Sequence, residues 1–362
     1  MALGPLSKGG LLIALCTVPV ILLLYAVDFA FVRNFSRQRL YSTLNLVTPY
    51  KLSHTKHQNG TTPSGLECRS DDSISFTRNF LYLMQTESCI PKALLSPNVL
   101  GDPSVCNCDV LVLGFRSQCT RKYSSHIKHI FHRSTWTTGR KYLYNNSIRS
   151  RKKYMYYIFM DDDTVLTVNH GNKSRNAWRV FENFLFRLRP PIGISDTVNW
   201  ENLNKILELR KDKGCKHSSL EEAVPTMHWD STIFAFHHEA ANSVLEPILP
   251  FWSKFDNLCW WYSHWYVCVM SDVVYHHNNV YNSELMAKSP RHRKYPRRKW
   301  VRSIVDEIFA DIQSVIPKEF KKKAETVLTE WRTTDLNLRR KNHYSYCLDL
   351  PKSCIRPYQY TI

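Results

Sequence analysis

Three consecutive carboxylates, Asp161-Asp162-Asp163, follow directly on the apolar and aromatic run Tyr154-Met155-Tyr156-Tyr157-Ile158-Phe159-Met160. Like charges crowded at the end of a buried segment repel one another and lose hydration, so the bare cluster is costly. A divalent cation relieves that cost. Carboxylate oxygens are hard ligands that suit Mg²⁺ or Mn²⁺, and the remaining coordination positions can take substrate phosphates. Two other readings compete: a solvated acidic turn that caps the next element, and a calcium loop, whose glycine and terminal Glu are missing here.

The element that must position the carboxylates is the run before them. It is β-rich and too short for an independent helix, which makes it a buried strand. The aspartates then sit at its carboxyl end, where open α/β sheets bind ligands. Alternation along a strand places Asp161 and Asp163 on one side unless a turn intervenes. Val110 to Phe115, apolar but for Gly114, predicts another strand buried on both faces. Ser124–Arg133 and Trp136–Arg149 between them read as helix or loop, so strand, helix and strand imply a parallel sheet with a right-handed crossover. Ser174 is expected to cap a helix bearing Trp178, Phe181, Leu185 and Leu188, stopped by Pro190-Pro191. Ile192–Ile194 reads as a short strand and Glu201–Lys213 as an exposed helix. His237–Glu246 reads as a helix ended by Pro247, and Val273–Tyr275 as a strand. Ile304, Ile308, Ile312 and Val315 give an amphipathic helix ended by Pro317.

The chain ahead of these elements speaks to compartment. Leu11–Val27 is apolar apart from Thr17 and Pro19, and no small-residue cleavage site follows, so it reads as an uncleaved signal anchor. Lys8 stands alone before it, while Arg33, Arg37 and Arg39 follow, which by charge bias argues for the opposite orientation. Two features outweigh that objection. Sequons begin at Asn34, Asn59, Asn145 and Asn172, all beyond the anchor. Of 11 cysteines, Cys16 lies in the anchor and the rest lie beyond it, an even number compatible with an oxidising lumen. Cys347 and Cys354 are close enough to pair. Zinc is the rival reading of the cysteines, but Cys106-x-Cys108 lacks the usual gap and a second pair. Residues 33–105 read as a stem, with one short helix around Phe76–Met84. The expected organisation is therefore a cytoplasmic tail and anchor over 1–32, a stem over 33–105, an α/β domain over 106–300 and a helical extension over 301–362.

Anchor, stem, buried first strand and Asp-x-Asp after a later strand together resemble a Golgi glycosyltransferase of the GT-A fold. The stretch Tyr156-Tyr157-Ile158-Phe159-Met160-Asp161-Asp162-Asp163 is similar to the DXD segment of that superfamily, and the resemblance covers about Cys106 to Trp300. It implies an α/β fold with a mixed, mainly parallel sheet flanked by helices, in a single-pass type II protein of the Golgi membrane with its catalytic part in the lumen. The implied reaction moves a sugar from a nucleotide diphosphate donor to a glycan or glycoprotein acceptor, with Mn²⁺ or Mg²⁺ on the diphosphate. Carried over by position, Asp163 matches the metal-binding carboxylate. Asp161 matches the one near the ribose or metal, and Asp162 is the middle position on the nucleotide sugar. A late histidine completes the metal shell in this fold, which points to His276 or His277, with His264 and His292 behind them.

An inverting reaction also needs a carboxylate to take the acceptor proton. Asp230, in Met227-His228-Trp229-Asp230-Ser231-Thr232, is the first candidate, ahead of Asp256, Glu239 and Asp272. The aromatics of Trp260–Tyr266 would serve either as a sugar platform or as plain core.

The formal net charge is +18, and Lys288–Arg302 is dense in Lys and Arg. Behind a membrane anchor this argues against a nucleic-acid partner; the two readings left are steering of an anionic donor and of an acidic glycan acceptor, and a plain solvated face. Two other function classes remain open from the residues. A glycan-binding protein without catalysis would keep the aromatics and the basic patch, yet has no use for a diphosphate clamp. A lumenal kinase or sulfotransferase would need a phosphate loop of the Gly-x-x-x-x-Gly-Lys kind, which the chain lacks.

Overall fold

Apolar runs buried on both faces form the middle of the molecule. In the computed structural model, which describes residues 76–150, 152–169, 173–196, 223–226, 229, 231–252, 260–275, 279–289, 302–316 and 318–333, they build one mixed sheet. Its strands are β1 (Arg78–Thr86), β2 (Cys108–Gly114), β3 (Ile127–Phe131), β4 (Tyr154–Asp161), β5 (Val165–Val168), β6 (Ile192–Asp196), β7 (Ala223–Pro225), β8 (Ile233–His237) and β9 (Asn279–Lys288). The order across the sheet is β3-β2-β1-β4-β8-β6-β9-β5, and β7 shares β9's outer edge with β5. The half that carries the aspartates, β3-β2-β1-β4, is parallel throughout. Beyond it β8 runs antiparallel to β4.

Strand parity divides the core into two layers. Leu81 and Leu83 of β1, Leu111 and Leu113 of β2, and Tyr157 and Phe159 of β4 face one side. Phe80, Tyr82 and Met84, Val110 and Val112, and Tyr156, Ile158 and Met160 face the other. The first layer is closed by α1 (Trp136–Ile148), the helical run α3 (His238–Ala240, Ala241–Leu245 and Glu246–Ile248), α4 (Trp260–Tyr275), α5 (Arg302–Val315) and α6 (Lys321–Thr333). The second is closed by α2 (Ala177–Leu188) and by the segment from Ile90 to Cys106.

The two strands predicted around the carboxylates lie where expected. β2 and β4 flank β1, both parallel to it, and Asp161 stands at the carboxyl edge. Several expectations change. The predicted helix at Phe76–Met84 is β1, a central strand, so the domain starts well before residue 106 and the stem cannot extend to 105. An apolar run without polar alternation does not reveal its period. Ser124–Arg133 contains the edge strand β3. The cap of α2 is Asn176, whose side chain accepts from the Trp178 amide, in place of Ser174. α3 runs past Pro247 to Ile248, because Ala241–Leu245 takes a wider π turn just before it. Val273–Tyr275 is the end of α4, a mainly apolar helix whose side chains from Ser263 to Val274 are buried on every face.

Disulfides join Cys89 to Cys119 and Cys106 to Cys108, so the latter pair serves no zinc. The predicted Cys347–Cys354 pair lies outside the described residues. So do the apolar run Leu11–Val27, the helix expected at Glu201–Lys213 and most of the basic run Lys288–Arg302. Among the described residues no helix is long and apolar enough to cross a membrane.

Candidate active site

Parity decides what Asp161 meets. It continues the series Tyr157, Phe159, Asp161 that faces α1. Arg140 of that helix donates from Nη2 to Asp161 Oδ1 at 2.7 Å, and Trp136, one turn earlier, donates from Nε1 to the same oxygen at 3.4 Å. The Arg140 side chain is 3% exposed, so its charge requires partners. Besides Asp161 it has the Ser231 carbonyl at 3.2 Å. The Trp136 ring lies under the guanidinium at 4.1 Å, with Phe234 and Phe159 at 5.3 and 5.8 Å. Burial pushes the Asp161 carboxyl above its ordinary value, Arg140 pulls it back, and Asp163 pushes it up again.

α1 can approach this closely because residue 139 is glycine. A Cβ there would stand 1.8 Å from Gln85 Nε2, which donates to the Thr135 carbonyl at 2.9 Å. Gln85 is the register partner of Asp161 on β1. The helix start is fixed by a capping box between Thr135 and Thr138.

The strand ends at Asp161, and the chain turns. Asp162 and Asp163 therefore leave the alternation and do not share Asp161's direction, contrary to the expectation that Asp161 and Asp163 face one way. They line a cavity of about 510 Å³ together with Thr86, Glu87, Ser88, Cys89, Pro91 and Leu94. Its walls are thus the carboxyl ends of the parallel strands β1 and β4, and Asp161 is not among its lining residues. Asp163 Oδ1 accepts the Ser289 hydroxyl at 2.8 Å, which ties the turn to the end of β9. Thr164 fixes its other side by donating from its hydroxyl to the Asp161 carbonyl at 2.8 Å.

The remaining predicted residues divide into three groups. Asp230, His276, His277, Asp256 and His292 lie outside the described residues. The chain on either side of Asp230 is held firmly, however. Trp229 is fully buried and its carbonyl accepts from His264, while the Ser231 carbonyl accepts from the same Arg140 nitrogen that holds Asp161. His264 is therefore a core histidine, 1% exposed and committed to Trp229. Asp272 is fully buried within α4, and Trp265 and Tyr266 of the aromatic stretch are core, so for these the sugar-platform reading fails. Glu239 is exposed but stands at the wrong edge of the sheet. β8 pairs His237 with Tyr156, five residues up β4 from Asp161, or roughly 17 Å at the usual strand rise.

Among the described residues no group of three or more His, Cys, Asp and Glu side chains gathers as a metal site. A Mg²⁺- or Mn²⁺-type ion does not demand one, since it is commonly held by one or two carboxylates with waters and substrate phosphates. The hard oxygens of Asp162 and Asp163 at the cavity fit that donor set. Trp136, Arg140, Gln85 and Gly139 were missed in the sequence. A Trp–Arg pair at i, i+4 marks one helix face, but nothing local says that this face meets the aspartates.

No family model matches the chain, and no curated protein matches it.

Proposed function

We propose that the chain is a metal-dependent glycosyltransferase of the secretory pathway, moving a sugar from a nucleotide diphosphate donor to a glycan or glycoprotein acceptor. The observation that carries this reading is the cavity at the carboxyl ends of β1 and β4, with Asp162 and Asp163 in its wall. In this reading the cavity takes the nucleoside and diphosphate, and a Mn²⁺ or Mg²⁺ ion held by Asp163 and Asp162 neutralises charge on the leaving diphosphate. Asp161 belongs to the scaffold. Its pair with Arg140 fixes the end of β4 and, through the Ser231 carbonyl, the segment that carries Asp230. Asp230 is the proposed base for the acceptor hydroxyl, and His277 the proposed histidine near the cation. The GT-A fold and the type II Golgi topology belong to the same proposal. Both rest on the resemblance, on the parallel half-sheet and on the disulfides, which suit an oxidising lumen.

The test is a donor-hydrolysis screen of the purified protein with several nucleotide sugars and Mn²⁺. Release of nucleoside diphosphate from one donor, abolished by chelation, is the expected result. Binding of glycans with no hydrolysis of any donor would leave the non-catalytic glycan-binding reading.

A further inference from the structure

No carboxylate occurs between Asp109 and Asp161, while that stretch holds 11 Lys and Arg residues. Some of these have partners: Arg140 with Asp161, Lys152 with Asp109, and Arg116 with Glu87. Arg121, Lys122, Lys128 and Arg133 are exposed, and no carboxylate among the described residues pairs with them.

These four cations share one place in the fold. Among the described residues β3 is the last strand of the sheet on its side, and no other described strand covers its outer edge. Lys128 lies on β3, Arg121 and Lys122 on the segment that enters it, and Arg133 just beyond its end. Ring stacking holds the backbone in place on both faces. Tyr123 stacks on His129 at 4.7 Å, and His132 stacks on Tyr142 of α1 at 4.4 Å. The entering segment is also pinned by the Cys89–Cys119 disulfide to the rim of the aspartate cavity. The leaving segment reaches Thr135 and Trp136, which touches Asp161. The basic edge is therefore tied at both ends to the surroundings of the candidate active site.

Like charges without counter-charge repel one another and lower stability, a cost that an anionic ligand removes. We propose that the β3 edge binds an anionic polysaccharide, a glycan bearing sulfate or uronate groups, and leads it towards the aspartate cavity. Its role as the acceptor rests on the glycosyltransferase reading, whereas the binding itself does not. Two observations favour a linear polyanion over a flat anionic membrane. Lys128 lies on the strand, Arg121 and Lys122 lie on the loop before it and Arg133 lies past its end, so the charges follow one another along an extended segment. A flexible chain can follow such a row, whereas a planar surface favours charges spread over a broad face. Aromatic rings, including a 42% exposed Phe131, stand between the charges and suit the apolar faces of sugars.

The test compares wild type with the variant Arg121→Ser, Lys122→Ser, Lys128→Ser, Arg133→Ser, using calorimetric titration of a sulfated, uronate-containing oligosaccharide. A control variant changes Lys173, Lys318, Lys321 and Lys322 to Ser, removing equal charge elsewhere. The edge variant should bind about 30-fold more weakly, the usual worth of four exposed ion pairs, with a flatter salt dependence. The control should stay within about threefold of wild type, since its charges lie away from the edge and act only through the screened general field. Should the edge variant melt early, the pair Arg121→Ser, Lys122→Ser on the exposed loop decides instead, with a smaller loss in the same direction. Equal loss in both variants, no loss in the edge variant, or equal wild-type binding of a neutral oligosaccharide of the same length overturns the proposal. So does edge-dependent binding of phosphatidylserine vesicles or single-stranded RNA in place of the oligosaccharide. Acceptor-free donor hydrolysis should be the same in wild type and edge variant. If wild type hydrolyses no donor, the transferase reading fails while the titration still decides the binding.

Discussion

Asp161 and Asp163 are two residues apart yet belong to different environments, one facing a buried guanidinium and the other a cavity. Their substitutions should therefore differ. Asp163→Ala removes a proposed cation ligand and should abolish turnover and weaken donor binding, with the melting temperature little changed. Asp161→Ala leaves the Arg140 charge buried without its carboxylate, so it should lower the melting temperature as well as activity. Asp230→Asn should keep donor and Mn²⁺ binding while turnover falls by about 10²–10⁴-fold, the usual loss of a general base. Thermal melts alongside donor affinity and turnover separate the three. Wild-type turnover in Asp163→Ala would sink the metal site, and in Asp230→Asn would move attention to Asp256.

A second residue-scale expectation concerns Glu182 on α2, buried beneath β1. Tyr82 donates its hydroxyl to Glu182 Oε1 at 2.7 Å, and Arg179 pairs with Oε2 at 2.8 Å. Burial pushes the Glu182 carboxyl up to about 8, against the pull of Arg179 and of the Tyr82 hydroxyl. The folded value is above the unfolded one, so the folded state holds the proton more tightly. Its contribution to stability is whole below the unfolded value of 4.5 and is lost as pH rises through about 8. Melting temperature should accordingly fall from pH 5 to pH 8.5 in wild type, and fall less in Glu182→Gln. Parallel curves for the two proteins would show that Glu182 is not the group responsible.

At the scale of elements, the cavity is a meeting of the loop after β1 and the turn after β4, and the Cys89–Cys119 disulfide holds one of its rims. The bond spans a sequence separation of 30, for which loop-closure entropy suggests a contribution of about 3–4 kcal/mol. Cys119→Ser with Cys89→Ser should lower the melting temperature and, because Cys89 lines the cavity, raise the donor KM more than it lowers kcat. Unchanged donor KM would place the disulfide outside the site's support. α1 has a comparable dependence on Gly139, where any side chain would displace Gln85 or the helix that carries Trp136 and Arg140.

For the whole molecule, the lumenal reading predicts that endoglycosidase treatment of cell-expressed protein will increase its gel mobility. The structure separates the sequons. Asn145 lies half-buried in the last turn of α1, and Ser147 is buried with its hydroxyl donating to the Tyr144 carbonyl. A glycan there would obstruct helix packing, so Asn145→Gln should leave the shift unchanged, while removing Asn34 and Asn59 should reduce it. A cytosol-accessible C-terminus with no shift would restore the objection raised by Arg33, Arg37 and Arg39.

Local sequence determined a good deal of this protein. Composition alone marks β2 and β4 as doubly buried strands, and their position ahead of the carboxylates puts those carboxylates at a carboxyl edge. The face of Asp161 follows from counting residues from Phe159. Amphipathic spacing in α2 and α5 was equally plain, because each has one wet side. Where every side is apolar the period disappears, and so β1 passed for a helix and the end of α4 for a strand. Tertiary structure alone decided the partners. That Arg140 meets Asp161, that Gly139 admits Gln85, and that the turn at Asp162 opens the second and third aspartates onto β1 depend on strand order and register. Those are set by long-range burial, summed over layers that no single stretch of the chain contains.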